Sequence, residues 1–556
     1  MRRLATLLLA AAGTGAAMAL ALPLVLPWWS LREVDPAGRL EPIAFVALLP
    51  LLWAAGRARG ARGAAGLGFL AGFAYFLAAI HWVAHAMTAF GGLSAWVAGL
   101  GLSLLVGFMA FHWALAIGAA TLVRRALGWP LRYHLPAIWT ATELLRERLF
   151  TGFPWADLGY TQVRTPWIAQ LAALLGVHGL AFLVVQVNAV LADALDDRRA
   201  GRPAPRGALA VTAALVALVA AGGAARLARL RAEIAAAPEV TVGLVQANVD
   251  QEVKNAARAH AGFILDRLVP LTVAADRAGA DLIAWPEAAY PLALPPDLRR
   301  LDPIRGGIPR LARAHLLLGA VTMESTGVGG DGGRWRVENS AFLLSPDLAV
   351  LGRQSKHHLV PFGEYVPLAS WLPFLRQVVP AMAPLTPGRA LEPLGFAGPG
   401  GGPVRVGAMI CFDAIFPGIA RAFTRAGADL LVNPTNDAWY GYSSGPYQFL
   451  AIVQLRAIET GRAIARPAYA GVSALILPTG ELEPGRLEVG PVDPALAPEP
   501  EEPARLLVGR LPILRGRTPF VTIGDSFAWG CAALAAVVLE LAAGRRRRGA
   551  APPHGP

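Results

Sequence analysis

The sequence predicts an α-helical membrane domain of about eight transmembrane helices joined to a water-exposed α/β domain. Of the 556 residues, 55% are hydrophobic and only 16% are charged, which is more apolar than an ordinary soluble protein. Long uncharged runs occupy the chain as far as Arg231. Beyond it, charged residues, prolines and short β-branched strings indicate a folded domain that faces water. This composition excludes intrinsic disorder, collagen and coiled coil.

The membrane domain is predicted from uncharged segments long enough to cross about 30 Å of hydrocarbon. No Asp, Glu, Lys or Arg occurs from Ala64 to Val123, and the Phe90-Gly91-Gly92 turn divides this run into two helices. The other uncharged spans are Leu4–Leu31, Thr165–Ala192 and Gly207–Ala225, and three weaker spans are Pro42–Gly56, Trp129–Leu145 and Ser526–Leu541. The total is eight. A cleaved signal peptide is the alternative for the first span, but six more spans follow it before the α/β domain.

Arginine clusters between the spans predict the orientation, because Lys and Arg in short loops collect on the cytoplasmic side. The basic N-terminus and the loops at residues 57–62, 124–132, 198–206 and 545–548 then lie inside. The segment 232–517 lies outside, which in a bacterium is the periplasm. Arg146, Arg148 and Arg164 also fall outside and are the exception. We expect a multi-pass inner-membrane protein with both termini cytoplasmic. The net charge of +12 then reflects topology, and no nucleic-acid partner is predicted.

These patterns divide the chain into four parts: a membrane domain of about seven helices (1–231), a periplasmic α/β domain (232–517), a C-terminal transmembrane helix (518–544) and a basic tail (545–556). Short apolar strings predict buried strands in the α/β domain at Val240–Val245, Asp281–Trp285, Leu316–Ala320, Ala341–Leu344, Val406–Ile410 and Leu430–Val432. Helical stretches at Ala261–Ala278 and Phe449–Arg462 alternate with them, which is typical of a layered α/β fold. The segment Pro491–Pro503 is predicted to be a loop or an edge connection.

Three residues are candidates for catalysis because each follows a strand end or precedes a turn. Cys411 follows a strand-like apolar run, where an elbow exposes a nucleophile, although a free cysteine there is more often a core residue. Glu287 could take the thiol proton, and Lys356 could stabilise both the thiolate and an oxyanion. Taken singly, each of the two charges would more often be a surface residue. With only two cysteines, the chain has no disulfide framework.

Sequence motifs along almost the whole chain resemble a known family. They are Thr151-Gly152-Phe153-Pro154-Trp155, Val245-Gln246-Ala247-Asn248, Trp285-Pro286-Glu287, Asn339-Ser340, the run from His358 to Pro367, Asn436-Asp437-Ala438-Trp439-Tyr440-Gly441 and Thr518-Pro519-Phe520. The segment from about Val240 to Leu511 resembles the nitrilase superfamily of carbon-nitrogen hydrolases, with its αββα sandwich. The full chain is similar to the apolipoprotein N-acyltransferase family of the bacterial inner membrane.

The resemblance implies a Glu287–Lys356–Cys411 triad and a ping-pong reaction. The Cys411 thiolate would take an acyl chain from a phospholipid as a thioester. The chain would then pass to the α-amino group of the S-diacylglyceryl cysteine that begins an apolipoprotein. The implied partners are thus the phospholipid donor, the diacylglyceryl apolipoprotein acceptor and the lipid bilayer. No cofactor and no metal are implied, since His357 and His358 are adjacent and point to opposite faces of an extended segment.

The resemblance also implies supporting residues. Lys356 and a backbone amide near Phe412 would hold the oxyanion, and Glu364 would be a second acid that keeps the triad's geometry, with a turn carboxylate as the alternative. The family's pocket residues match Asn339, Trp439 and Tyr440, while Trp155 is either a supporting residue or a membrane-interface aromatic. The sequence departs from the family at four positions, which are Asp413 (usually Glu), Phe449 (His), Tyr469 (Asn) and Asn255 (Trp).

Two other functions remain open from the sequence. A membrane-bound nitrilase-type amidase would pass the acyl group to water, and a related acyltransferase would pass it to a different amine. A transporter or sensor would need ionisable residues within its spans. The strongest spans contain no Asp, Glu, Lys or Arg and only scattered histidines, although Glu143 lies in the weak fifth span.

Overall fold

Uncharged apolar stretches of this chain fold as helices, since a helix satisfies its backbone polar groups within one segment. The computed structural model describes residues 2–23, 40–249, 251–303, 307–325, 335–367, 371, 384–441, 443–483, 487–488 and 504–548. The chain divides into two units. The first comprises Met1–Ala84, Ala95–Ala228 and Ile523–Pro556, and the second comprises His85–Ser94 and Arg229–Thr522.

The helices are α1 (Arg2–Ala19), α2 (Leu49–Arg57), α3 (Gly60–Ile80), α4 (Trp82–His85), α5 (Ala95–Leu127), α6 (Leu135–Arg148), α7 (Pro166–Ala169), α8 (Ala172–Arg199), α9 (Arg206–Ala236), α10 (Gln251–Asn255), α11 (Ala261–Arg277), α12 (Pro417–Arg425), α13 (Gly445–Thr460), α14 (Pro519–Ile523) and α15 (Ser526–Arg547). The strands are β1 (Glu239–Gln246), β2 (Leu282–Ala284), β3 (His315–Ser325), β4 (Trp335–Leu344), β5 (Val350–Ser355), β6 (Leu394–Ala397), β7 (Pro403–Ala408), β8 (Leu430–Val432), β9 (Ile464–Arg466), β10 (Val472–Ile476), β11 (Leu487–Glu488) and β12 (Arg505–Pro512).

Five helices in the described part of the chain are long and apolar enough to cross a membrane, namely α3, α5, α8, α9 and α15. The long uncharged run from residue 64 to residue 123 contains the two long helices α3 and α5 with the short helix α4 between them, and Gly92 in the turn before α5 has φ +63°. Helix α1 is shorter, and the end of its predicted span, residues 24–31, lies outside the described residues. Helices α2 and α6 are also shorter than a full span. Eight spans therefore remain a prediction.

Arg146 and Arg148, two of the exceptions to the charge rule, have partners within the helical unit. The buried guanidinium of Arg146 pairs with Asp157 and donates to the carbonyl of Trp155 at 2.7 Å. Arg148 pairs with Asp525. Because internal contacts account for these two charges, they are weak markers of the side of the membrane on which their loop lies.

The second unit contains two six-stranded sheets. Their strand orders are β12-β1-β2-β3-β4-β5 and β11-β10-β9-β8-β7-β6. In each sheet three neighbouring strands are parallel, β1-β2-β3 in one and β7-β8-β9 in the other. Helix α11 packs on β1, β2 and β12, helices α12 and α13 pack on β7 and β10 respectively, and β10 also contacts β1 and β12 of the other sheet. The predicted combination of membrane helices with a nitrilase-like αββα sandwich is confirmed.

All six predicted apolar strings lie in strands, namely β1, β2, β3, β4, β7 and β8. The string Val406–Ile410 continues two residues beyond β7, and those two residues are buried in the core. Helix α13 begins four residues before its predicted start, at Gly445, with a proline in its first turn. The predicted loop at residues 491–503 lies outside the described residues.

Candidate active site

Cys411 lies at a sharp turn three residues after the end of β7. It opens the 3₁₀ helix Cys411–Ile415 with φ +48°, a left-handed conformation that is uncommon for a residue other than glycine. Its N–H donates to the carbonyl of Pro434 at 2.8 Å, and the Asn433 amide donates to the carbonyl of Met409 at 2.7 Å. The predicted elbow is therefore present, and the loop after the neighbouring strand β8 holds it in place.

Asp413 ties this elbow to the segment that follows Lys356. Its buried carboxylate accepts hydrogen bonds from the N–H groups of Ile410 at 3.0 Å, His357 at 3.1 Å and His358 at 2.7 Å. Burial raises the pKa of Asp413 to about 7, although these N–H donors and Lys356 lower it. Asp413 therefore joins the two segments. Its side chain is shorter than that of the Glu that the family usually has at this position, but it still reaches both segments.

Glu287 and Lys356 form the charged centre of the site, three residues after β2 and one residue after β5. The Lys356 Nζ donates to Glu287 Oε1 at 3.2 Å, and Asn339 Nδ2 donates to the same oxygen at 2.7 Å. Both Glu287 and Lys356 are buried, with 5% and 1% exposure. Burial raises the pKa of Glu287, but the charges of Lys356 and Lys254 lower this pKa by more, so the net shift is downward. At neutral pH Glu287 is therefore a carboxylate.

Glu364 holds the other side of Lys356. Its Oε1 accepts a hydrogen bond from Nζ at 2.6 Å, and its Oε2 accepts one from the Val360 N–H at 2.8 Å. Burial lowers the pKa of Lys356, but Glu287 and Glu364 raise it well above its ordinary value. Burial raises the pKa of Glu364, and the charge of Glu287 adds to this shift while Lys356 opposes it. Glu364 lies where the sequence predicted a second acid.

The thiol of Cys411 lies against this centre, hydrogen-bonded to Glu287 and to the Thr435 hydroxyl. Burial raises the pKa of Cys411 to about 12, and Glu287 adds to the shift, while Lys356 and Thr435 oppose it. In the resting site the sulfur therefore carries its proton. A carboxylate, an ammonium and a protonated thiol in contact provide a base, a cation and a latent nucleophile.

A second lysine, which the sequence did not single out, completes the site. Lys254 of α10 donates from Nζ to the main-chain carbonyl of Glu287 at 2.9 Å and lies 4.2 Å from the ring centre of Tyr469. When the Asn436 amide oxygen faces this ammonium, it accepts hydrogen bonds from Lys254 at 3.1 Å and from Trp439 Nε1 at 3.2 Å. Lys254 lies eight residues after the end of β1, in a short helix, and no local sequence pattern distinguished it from a surface lysine.

The turn with Trp439 and Tyr440 is fixed from beneath by a buried ion pair. Arg466 donates to both carboxylate oxygens of Asp437, each at 2.9 Å, and neither side chain is exposed. Tyr440 is buried and meets the ring of Phe449 edge-on at 6.2 Å. Phe449 stands where the family has His, and here its ring lies 4.8 Å beneath the guanidinium of Arg466.

The segment His85–Ser94, which belongs to the second unit although it precedes α5 in the chain, packs on this turn. Phe90 meets Trp439 edge-on at 5.2 Å, and a Cβ added to Gly441 would lie 2.6 Å from the His85 ring. Gly441 has φ +55°. Sequence reasoning treated Phe90 only as part of a turn between spans, and no local pattern distinguished it as a contact of Trp439.

Phe412 and Trp155 have different surroundings. Phe412 is buried next to the nucleophile, 5.8 Å from the ring of His358 and 5.5 Å from that of Phe416. Trp155 belongs to the helical unit, where it is buried 5.0 Å from the ring of Trp82. Within the described residues, no group of three or more His, Cys, Asp or Glu side chains is arranged to hold a metal ion.

Comparisons with known proteins identify the family to which the chain belongs. The family model for the apolipoprotein N-acyltransferase N-terminal domain matches residues 14–190, and that for carbon-nitrogen hydrolase matches residues 222–485. An apolipoprotein N-acyltransferase of Geobacter metallireducens is 37% identical over 519 residues, which cover 92% of this chain and 93% of that protein.

Two further relatives have the same name. The protein from Haemophilus ducreyi is 31% identical over 78% of this chain and 82% of its own length. The protein from Allorhizobium ampelinum is 34% identical over 75% of this chain and 76% of its own length. The chain is therefore an acyltransferase with a carbon-nitrogen hydrolase domain, and it belongs to the apolipoprotein N-acyltransferase family.

Proposed function

We propose that this protein transfers an acyl chain from a membrane phospholipid to the α-amino group of the N-terminal S-diacylglyceryl cysteine of an apolipoprotein, through a thioester on Cys411. One observation carries the mechanism. The Cys411 thiol and the Lys356 ammonium both lie against the Glu287 carboxylate, and all three groups are buried, although they follow the ends of three separate strands. The family's printed name supports the substrate class.

In the first half-reaction Glu287 takes the proton of the Cys411 thiol, and the sulfur attacks the ester carbonyl carbon of the phospholipid. The carbonyl oxygen becomes an oxyanion, which the ammonium of Lys356 stabilises. Collapse of this intermediate breaks the ester C–O bond. The departing alkoxide takes the proton from Glu287 and leaves as a lysophospholipid, while the acyl chain remains on Cys411 as a thioester.

In the second half-reaction the acceptor's neutral amine attacks the thioester carbonyl, and Glu287 takes a proton from its nitrogen. The C–S bond breaks, the amide forms, and Cys411 regains its proton from Glu287. A thioester is more reactive towards an amine than an ester is, so one nucleophile divides a difficult transfer into two easier steps. Glu287, Lys356 and Cys411 are the catalytic residues in this scheme, and Glu364 and Asn339 hold the first two in place.

The place of the α/β domain between apolar helices supports lipid substrates. Both donor and acceptor are anchored in a bilayer, and the segment 232–517 lies between apolar helices α9 and α15. We place this catalytic domain in the periplasm, with the helices in the inner membrane, because the basic loops define the opposite face as cytoplasmic. If water replaced the amine in the second step, the same site would hydrolyse its acyl donor, as a nitrilase-type amidase hydrolyses an amide, and the release of free fatty acid from phospholipid would identify this reaction.

The thioester is testable without an acceptor. Purified protein in detergent, incubated with phospholipid alone, should gain one acyl mass that hydroxylamine removes, as measured by intact-protein mass spectrometry. Cys411→Ala should be folded and show no adduct. Cys531→Ala is the matched control, because Cys531 is the other buried cysteine and lies in helix α15 of the helical unit. An adduct that persists in Cys411→Ala, or is lost in Cys531→Ala alone, would end the proposed mechanism.

A further inference from the structure

The contacts of Lys254 connect it to the base of the triad through the main chain. Its side chain is partly exposed along its length, but the ammonium points inward, where the Glu287 carbonyl, the Tyr469 ring and the Asn436 amide surround it. Burial lowers the pKa of Lys254 to about 8, with Glu287 and Cys411 opposing the shift and Lys356 adding to it. Near neutral pH the group is therefore mostly charged.

The charges of the site explain why a second cation is needed. Lys356 is in direct contact with two carboxylates, those of Glu287 and Glu364. One ammonium shared between two buried carboxylates leaves an excess negative charge beside Cys411. Such a charge opposes ionisation of both Glu287 and the thiol. With Lys254 protonated, two cations balance two anions, and the enclosed group is neutral before the reaction begins.

We propose that Lys254 is a positioning residue of the acyl transfer: its ammonium anchors the Glu287 main chain and supplies the second positive charge that keeps Glu287 ionised. The anchoring contact is the 2.9 Å hydrogen bond to the Glu287 carbonyl. The electrostatic part is reciprocal, since each group shifts the pKa of the other. This inference rests on the proposed function, which assigns the role of base to Glu287.

The hydrogen bond from Lys254 to the Glu287 carbonyl also stabilises a sharp turn of the backbone. Ala288, directly after Glu287, has φ +44°, so the chain turns sharply at the base. A strained turn keeps its shape only where surrounding contacts hold it. Lys254 holds the Glu287 carbonyl on one side, while Asn339 holds the carboxylate on the other at 2.7 Å.

The pH dependence of the first half-reaction separates these roles from a general structural one. We would measure single-turnover release of lysophospholipid from pH 4 to pH 8 for the full-length protein and for Lys254→Met and Lys254→Arg. Loss of the charge in Lys254→Met should move the acid-side inflection upward by about one pH unit or more, since a nearby cation lowers a carboxyl pKa by roughly that amount. Lys254→Arg keeps the charge and should keep the inflection near its original position.

Arg267→Met is the matched control. The guanidinium of Arg267 also donates to main-chain carbonyls, those of Ala247 and Asn248 at 3.1 Å, so its removal tests loss of a similar anchor at a neighbouring loop. We expect the position of its inflection to be unchanged. Thermal melting of each variant establishes that it is folded.

The pH of the acid-side inflection distinguishes the proposed role from a purely structural one. Loss of a purely structural contact would lower the plateau rate but leave the inflection at the same pH. An inflection of Lys254→Met at the wild-type pH, or one of Lys254→Arg that moves as far as that of Lys254→Met, would overturn the proposal. The pH dependence of Cys411 alkylation by iodoacetamide provides a second measurement that needs no lipid. If the wild-type protein formed no acyl adduct, the proposed function would fail, and the alkylation profiles would still test Lys254.

Discussion

At the scale of single residues, the site holds the proposed nucleophile, Cys411, as a protonated thiol. The raised pKa of Cys411, which follows from its burial beside Glu287, means that a thiol is present at neutral pH. Glu287 is ionised next to it and can accept the proton only as charge moves to the substrate oxygen. A buried thiolate would react with many electrophiles, so a protonated resting thiol favours reaction within a closed complex.

Asp413 should give the protein a pH-dependent stability near neutral pH. Burial raises its pKa to about 7 from the ordinary 3.8, so between these values the folded state holds a proton that the unfolded state has lost. Its contribution to stability therefore falls as pH rises through that window, by at most about 1.4 kcal/mol per pH unit, and is constant above it. Asp413→Asn should remove this slope. The measurement is the melting temperature in detergent from pH 4 to pH 8, expressed as wild type minus variant.

A surface carboxylate provides the control for that slope. The Ser345 hydroxyl and Arg300 lower the pKa of Asp347, so its contribution changes in the opposite sense and is lost as pH falls through the lowered value. Asp347→Asn should not reproduce the effect of Asp413→Asn. Parallel melting profiles for wild type and Asp413→Asn across pH 4–8 would contradict the assignment.

At the scale of elements, local sequence patterns predicted the inner strands and singled out the three residues of the proposed triad. Strands β1, β2, β7 and β8 are short apolar strings, and the residues that follow β2, β5 and β7 supply Glu287, Lys356 and Cys411. Strands β5 and β6 were not predicted, since both contain partly exposed positions and neither is a continuous apolar string.

The parts of the site that the sequence did not predict depend on contacts between distant segments. Lys254 has the local pattern of a surface helix residue, and only the fold places it against Glu287 and Tyr469. The pair of Asp437 and Arg466 likewise joins the turn after β8 to the end of β9. Charge pairs of this kind have no periodicity along the chain, so hydrophobic patterns cannot locate them.

Close approach of two loops makes Gly471 essential. It has φ +96°, and a Cβ at this position would lie 2.4 Å from the Cβ of Asp437, which Arg466 and Val472 hold in place. We expect Gly471→Ala to cost about 2–5 kcal/mol, because a left-handed alanine costs about 1–2 kcal/mol and overpacking about 1–3 kcal/mol. Thermal unfolding measures the loss, and acyl-adduct formation should fall with it.

Gly395 is the matched position for this comparison. It lies in β6, and a Cβ there would meet nothing within 4 Å. Gly395→Ala should therefore change stability by no more than about 0.5 kcal/mol. If Gly471→Ala and Gly395→Ala had similar melting temperatures, the loop that carries Asp437 would have moved to accommodate the new Cβ, and the argument from close packing would be wrong.

At the scale of the whole molecule, the arrangement of charges predicts which side of the membrane each part occupies. Basic residues cluster at the ends of α2, α5, α8 and α15, which the alternation of spans assigns to one side. Each Lys or Arg near a membrane end favours the cytoplasmic face, whereas large domains cross regardless of their charge. We therefore expect the second unit to be periplasmic, where both lipid substrates of the proposed reaction are available.

Single cysteines at exposed positions test this orientation. In a background of Cys411→Ala and Cys531→Ala, a membrane-impermeant maleimide applied to intact spheroplasts should label Glu324→Cys, in β3 of the catalytic domain. Arg59→Cys, between α2 and α3, and Arg547→Cys, at the end of α15, should be labelled only after the membrane is broken; all three positions are exposed in their own unit. Labelling of Arg59→Cys in intact spheroplasts, with Glu324→Cys protected, would invert the topology and put the thioester on the cytoplasmic leaflet. Labelling of Arg547→Cys alone would instead mean that an odd number of spans separates residue 59 from residue 547. The predicted spans place six between them, so this third position tests that even number independently of the catalytic domain's side.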